Sequence, residues 1–76
     1  MPHFRLREPD DFQGKKDRYC DQATIEAALA DFGHQLGVTL KLDGDVMDYV
    51  LYERPASEHN FKNSDGLPVS IVRDEN

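Results

Sequence analysis

Residues 21–52 constrain this chain more than any other stretch, because two hydrophobic periodicities meet there. Ile25, Leu29, Phe32 and Leu36 recur at i, i+4, i+7 and i+11, which places four large apolar side chains on one helical stripe. Ala27, Ala28 and Ala30 favour the same conformation. Directly afterwards Val38-Thr39-Leu40-Lys41-Leu42 alternates with period two, as a half-buried strand does. The pattern predicts a helix over 22–36 with Asp21 as its N-cap. Gly37 suits the left-handed position after the helix end. Gly33 weakens a helix interior by roughly 1 kcal/mol against alanine, and is explained if a second backbone approaches there.

Asp43-Gly44 is a hairpin signal of the type I′ kind. It predicts a β-hairpin over 38–53 whose strands pair with each other. One face would carry Val38, Leu40, Leu42, Met47, Tyr49 and Leu51 against the helix stripe. The other would carry Thr39, Lys41, Val46, Asp48, Val50 and Tyr52.

The flanks read more simply. Residues 3–8 alternate, with Phe4 and Leu6 on one side, and predict an edge strand between Pro2 and Pro9. Residues 9–20 and 55–66 are rich in turn formers and predict loops, the first anchored by Phe12 and Tyr19 and the second by Phe61. Residues 67–72 predict a fourth strand, and 73–76 a tail. The expected fold is one α+β domain over residues 1–76, a single helix on an antiparallel sheet of three to four strands. Its order is β-α-β-β, with the fourth strand at the C-terminal end.

With 76 residues, such a domain buries only ~60% of the surface its unfolded chain exposes, so its stability is marginal. The single cysteine rules out an internal disulfide framework. No apolar run approaches the ~20 residues of a membrane span, and the N-terminal residues lack a signal-peptide apolar core. A cytoplasmic protein with no membrane contact is the expectation. The net charge of −6 is uneven. Residues 1–20 carry five basic and four acidic side chains, and residues 21–76 carry four basic and eleven acidic ones. An acidic body repels phosphate backbones and steers toward basic protein surfaces. Direct nucleic-acid binding through Arg5, Arg7, Lys15, Lys16 and Arg18 is correspondingly disfavoured. The plain alternative is that the acidity only keeps a small protein soluble.

Catalytic equipment is missing from the sequence. Gly14-Lys15-Lys16 lacks the upstream glycine and following hydroxyl residue of a phosphate loop. Cys20 precedes the helix, where a thiol pKa can fall, but packing near the helix start explains it as well. Cys20, His34 and His59 have no metal-ligand spacing. Asp43 and Asp45 are accounted for by turn chemistry. No enzyme, cofactor or metal site is expected.

Surfaces remain. The outer face of the hairpin and its acidic tip, namely Lys41, Asp43, Asp45, Val46, Asp48, Val50, Tyr52 and Glu53, form the expected partner-binding region. Apolar patches with a tyrosine and a few charges are typical of interface cores. Coverage of that face by residues 67–72, or by the loop with Phe12 and Tyr19, is the competing explanation. In size, acidity and lack of catalytic groups the chain resembles small phage- and plasmid-encoded inhibitors. These include anti-CRISPR, anti-restriction and DNA-mimic proteins. The resemblance is one of composition. It implies a non-catalytic inhibitor or binding module that engages a basic surface, such as that of a nucleic-acid-processing protein. The second expectation is a structural or assembly subunit that homodimerises through the hairpin's outer face.

Overall fold

A computed structural model describes residues 1–57 and 66–73. Its elements are β1 (His3–Arg7), β2 (Arg18–Asp21), α1 (Ile25–Leu36), β3 (Thr39–Leu42), β4 (Tyr49–Arg54) and β5 (Leu67–Val72). The domain is α+β, one helix with a five-stranded antiparallel sheet in the order β2-β1-β4-β5-β3. That is one or two strands more than the sequence pattern predicts. Among the described residues no helix is long and apolar enough to cross a membrane.

The helical stripe forms as its spacing predicts. Leu29 and Phe32 are buried, and Ile25 and Leu36 pack against the core. The start lies further on than expected, because Thr24 and not Asp21 is the N-cap. Its hydroxyl accepts from the Ala27 N–H at 3.1 Å, satisfying one of the open donors of the first turn. Asp21 instead ends β2, where its carboxylate accepts from His3 Nδ1 at 2.5 Å. At the other end Gly37 takes a left-handed φ of 72°. The Val38 N–H donates to the Gly33 carbonyl at 2.9 Å. A Cβ on Gly33 would lie 2.6 Å from the Val38 carbonyl oxygen. The glycine that weakens the helix is therefore what lets the chain double back tightly into β3.

The expected hairpin does not form. β3 pairs with β5 (Leu40↔Ile71, Leu42↔Val69), and β5 pairs in turn with β4 (Tyr49↔Val69, Leu51↔Leu67). Residues 67–72 are thus a strand, as predicted, but an interior one lying between the two strands expected to be neighbours. Asp43-Gly44 still makes a turn. The Val46 N–H donates to the Asp43 carbonyl at 3.4 Å, and the Asp45 N–H to Asp43 Oδ1 at 3.0 Å. Gly44 has no positive φ, so the turn is not of the I′ kind, and the chain crosses the end of β5 before β4 begins. The predicted face parity survives only within β3 and β4. Leu40 and Leu51 are buried, while Leu42 and Met47 are 46% and 54% exposed.

The N-terminal expectations need correction too. β1 is not an edge, since β2 covers one side and β4 the other. The segment 9–20 ends in strand β2, in which Cys20 alone turns toward the core. Phe12 is 92% exposed and Tyr19 is exposed, so neither anchors the loop. The anchor is Asp17. Its side chain is 2% exposed and accepts from Arg7 Nε and Nη2 at 2.8 and 2.7 Å. This bidentate contact raises the Arg7 pKa above its ordinary value. The expected anchor Phe61 lies outside the described residues.

The core is Phe4, Leu6, Ala28, Leu29, Phe32, Leu40, Leu51 and Val69. Helix α1 packs on β2 and β3, which are the two opposite edges of the sheet. The sheet therefore curls, and the helix closes the space between its edges.

Candidate functional site

The eight expected partner-binding residues fall into separate places. Lys41, Asp43, Val46 and Asp48 come together around a shallow depression on the outer side of β3 and β5. Ser70 forms part of its floor, buried and with no hydrogen-bond partner for its hydroxyl among the described residues. Two of the three carboxylates here are already employed. Asp43 holds the Asp45 N–H. Asp48 Oδ2 accepts from the Ile71 N–H at 2.9 Å, and the Asp48 N–H donates to the Val69 carbonyl at 3.0 Å. Asp48 so continues the ladder of β5 beyond the end of β4. Asp45 is exposed, and among the described residues its carboxylate has no partner.

Val50 and Tyr52 lie elsewhere, on the outer face of β4. Both are half-buried. A Cβ on Gly66 would come within 3.1 Å of the Tyr52 ring, so the backbone entering β5 rests against them. The Arg5 guanidinium stacks over the same ring, 4.4 Å from its centre. This strip is partly covered by the chain itself, through Gly66 and Arg5 and not through the segments the competing explanation named. Glu53 is exposed on the opposite face, across from Phe4.

What the sequence pattern missed is the exposed apolar surface that Leu42 and Met47 add to that of Val46 on either side of Asp45 in the chain. Leu42 at the end of β3, and Val46 and Met47 in the connection from β3 to β4, are 46%, 44% and 54% exposed. The misassigned hairpin had placed Leu42 and Met47 in the core. The one available signal was their closeness in sequence to three aspartates, which a buried strand end does not need.

Several groups of the basic N-terminal segment are engaged by neighbouring carboxylates, including Lys16 Nζ, 3.8 Å from Glu8. Arg7 is bound to Asp17, and Arg5 Nε lies 3.8 Å from the same carboxylate. The backbone N–H of Lys16, and more distantly that of Lys15, donates to Asp11 and lowers its pKa. Among the described residues no three His, Cys, Asp or Glu side chains are grouped to hold a metal ion; His59 lies outside them.

Comparison with protein-family models, curated proteins and solved structures finds no match for this chain.

Cys20 is the remaining chemical group of interest. Burial pushes its thiol up to about 11, with Asp31 and Asp21 adding repulsion. A raised thiol pKa means less thiolate at any pH below it, the opposite of an activated nucleophile. Near pH ~8, iodoacetamide should alkylate the folded chain roughly a hundredfold more slowly than the urea-unfolded chain. The rate should climb as pH approaches about 11. Equal rates at the lower pH would contradict this environment.

Proposed function

We propose that the protein is a non-catalytic, acidic protein-binding module that engages a basic surface of a partner. A nucleic-acid-processing protein is the partner class that the composition favours, with inhibition as the consequence of occupying its surface. One observation carries this reading: Leu42 at the end of β3, and Val46 and Met47 in the connection that follows it, expose apolar surface, and the same connection holds Asp43, Asp45 and Asp48. Apolar contact area rimmed by charge of one sign fits a complementary protein surface better than it fits solvent. The weaker reading is a homodimer through the outer face of β4, where Val50 and Tyr52 are half-buried beneath Gly66 and Arg5.

The test must spare Asp43 and Asp48, whose carboxylates hold backbone N–H groups. The variant Asp45→Lys/Met47→Glu alters charge and apolar contact without touching those bonds. Proteins retained from a host lysate on the immobilised wild-type chain should elute as salt rises above the physiological range. The variant should retain about tenfold less of them. Retention that ignores both salt and the double substitution would refute the proposal.

A further inference from the structure

The sheet has two edges, and they are unlike. β2 presents Arg18 and Asp21, charges of the kind that discourage strand pairing. β3 is different, and its free side can be read from its register. The Asp43 N–H donates to the Pro68 carbonyl at 3.1 Å, so in an antiparallel ladder Lys41↔Ser70 and Thr39↔Val72 are the hydrogen-bonded pairs. Val69 and Ile71 agree, because their backbone groups turn the other way, to Asp48. The N–H and C=O groups of Leu40 and Leu42 therefore point away from β5. Among the described residues nothing accepts from or donates to them.

These groups face a groove of ≈ 540 Å³ between β3 and α1. All of residues 38–42 line it, inward- and outward-facing alike, as happens along the edge of a strand and not along its face. Ile25, Leu29 and Ala30 of the helix give its apolar wall, and Glu26 stands on that wall beside them. The geometry points to a strand-addition site, in which an extended segment of a protein partner pairs with Leu40 and Leu42 and lays alternate apolar side chains on α1. Only an extended backbone offers donors and acceptors at the spacing this edge requires. The occupant is another protein and not a second copy of this chain. The antiparallel self-pairing that would use all four outward groups sets Lys41 opposite its own symmetry mate, an unfavourable like-charge pair. Glu26 asks for a lysine or arginine on the incoming strand, in keeping with the net charge of −6. This inference deepens the protein-binding reading and rests on it, since the groove shares Leu42 with the exposed apolar surface.

The probe is an end-blocked peptide of about seven residues, a length typical of strands, with valine and threonine alternating and a single lysine at one end for Glu26, so that no like charge stands opposite Lys41. In the free protein the Leu40 and Leu42 amides should exchange with deuterium roughly tenfold faster than those of Thr39 and Lys41. Adding the peptide should slow Leu40 and Leu42 to the rate of their neighbours. Leu42→Pro removes an N–H that β5 does not use and should weaken peptide binding about tenfold or more. Should that variant misfold, the same peptide N-methylated on its pairing side, tested on the wild type, should fail to protect Leu40 and Leu42. Slow exchange at Leu40 and Leu42 without peptide, or protection that survives N-methylation, would overturn the proposal. Peptide protection at Leu40 and Leu42 that persists in Asp45→Lys/Met47→Glu would leave the groove standing while the acidic connection fails. The reverse result would show the groove alone to be wrong.

Discussion

Asp17→Ala should remove about half of the domain's stability. Asp17 lies against both Arg5 and Arg7, its side chain is 2% exposed, and Arg7 holds it with two hydrogen bonds. Removing one partner of a buried pair typically costs ~3–5 kcal/mol, because the remaining charge keeps its desolvation penalty without its compensation. Both arginines here keep some contact with water, which places the expected loss at the lower end, about 3 kcal/mol. A domain of this size has only ~5 kcal/mol or somewhat more to lose. The measurement is the urea midpoint followed by circular dichroism, with the m-value checked for constancy. Arg7→Met together with Asp17→Leu should be clearly milder than Asp17→Ala alone, since the Arg7 charge is removed along with the carboxylate that holds it. If the double variant proves the worse of the two, the contact is not the anchor of the loop.

Phe32→Ala should have an effect of similar size for an unrelated reason. Phe32 is fully buried and shares the core with Phe4, Leu6, Leu51 and Val69. Truncating a buried phenylalanine costs ~3–5 kcal/mol, and the cost rises when the surroundings cannot close over the space. Here they cannot close easily. The helix is tied at its N-terminal side to β2 and at its C-terminal side to β3, so it has little freedom to sink toward the middle of the sheet. The thermal midpoint should fall by well over ~10 °C, given ~4–8 °C per kcal/mol in domains of this length. A fall of only a few degrees would mean that the curled sheet relaxes around the vacancy.

The helix was legible in the sequence because its information is local: four apolar residues at helical spacing need nothing from outside the segment to be understood. Gly33 and Gly37 were legible for the same reason. The hairpin was misread because its local signal is also genuine. Asp43 does make a turn, and nothing within residues 38–53 reveals that another strand enters between the two arms. Pro68 adds to the concealment. Proline is expected at sheet edges, yet this one lies in an interior strand, where the Asp43 N–H reaches its carbonyl and its own missing N–H goes unused. β2 was hidden because Arg18-Tyr19-Cys20-Asp21 has no apolar alternation, and only Cys20 turns inward. Of the candidate site, the acidic connection was legible as Asp43, Asp45 and Asp48. The exposure of Leu42 and Met47 was not, since it follows from where the chain crosses β5.

The placement of β5 has a further consequence, for the order in which the domain can be made. Residues 1–57 contain four of the five strands, yet β3 has no sheet neighbour among them. During synthesis β2, β1 and β4 can associate as soon as residue 54 is free, leaving β4 with an open side. β3 then hangs from the helix with both sides open. Only when residues 67–72 emerge does a single strand bridge the gap, through three pairs to β4 and four to β3. Those contacts span long stretches of chain, and closing them is slow compared with forming the helix. For that interval a nascent chain exposes four unpaired strand sides, two more than the finished sheet, and chains made side by side have their greatest opportunity to exchange strands. A chain stopped before residue 67 would remain permanently in that condition. Its failing would be chiefly one of assembly, because of the core residues it would lack Val69 alone.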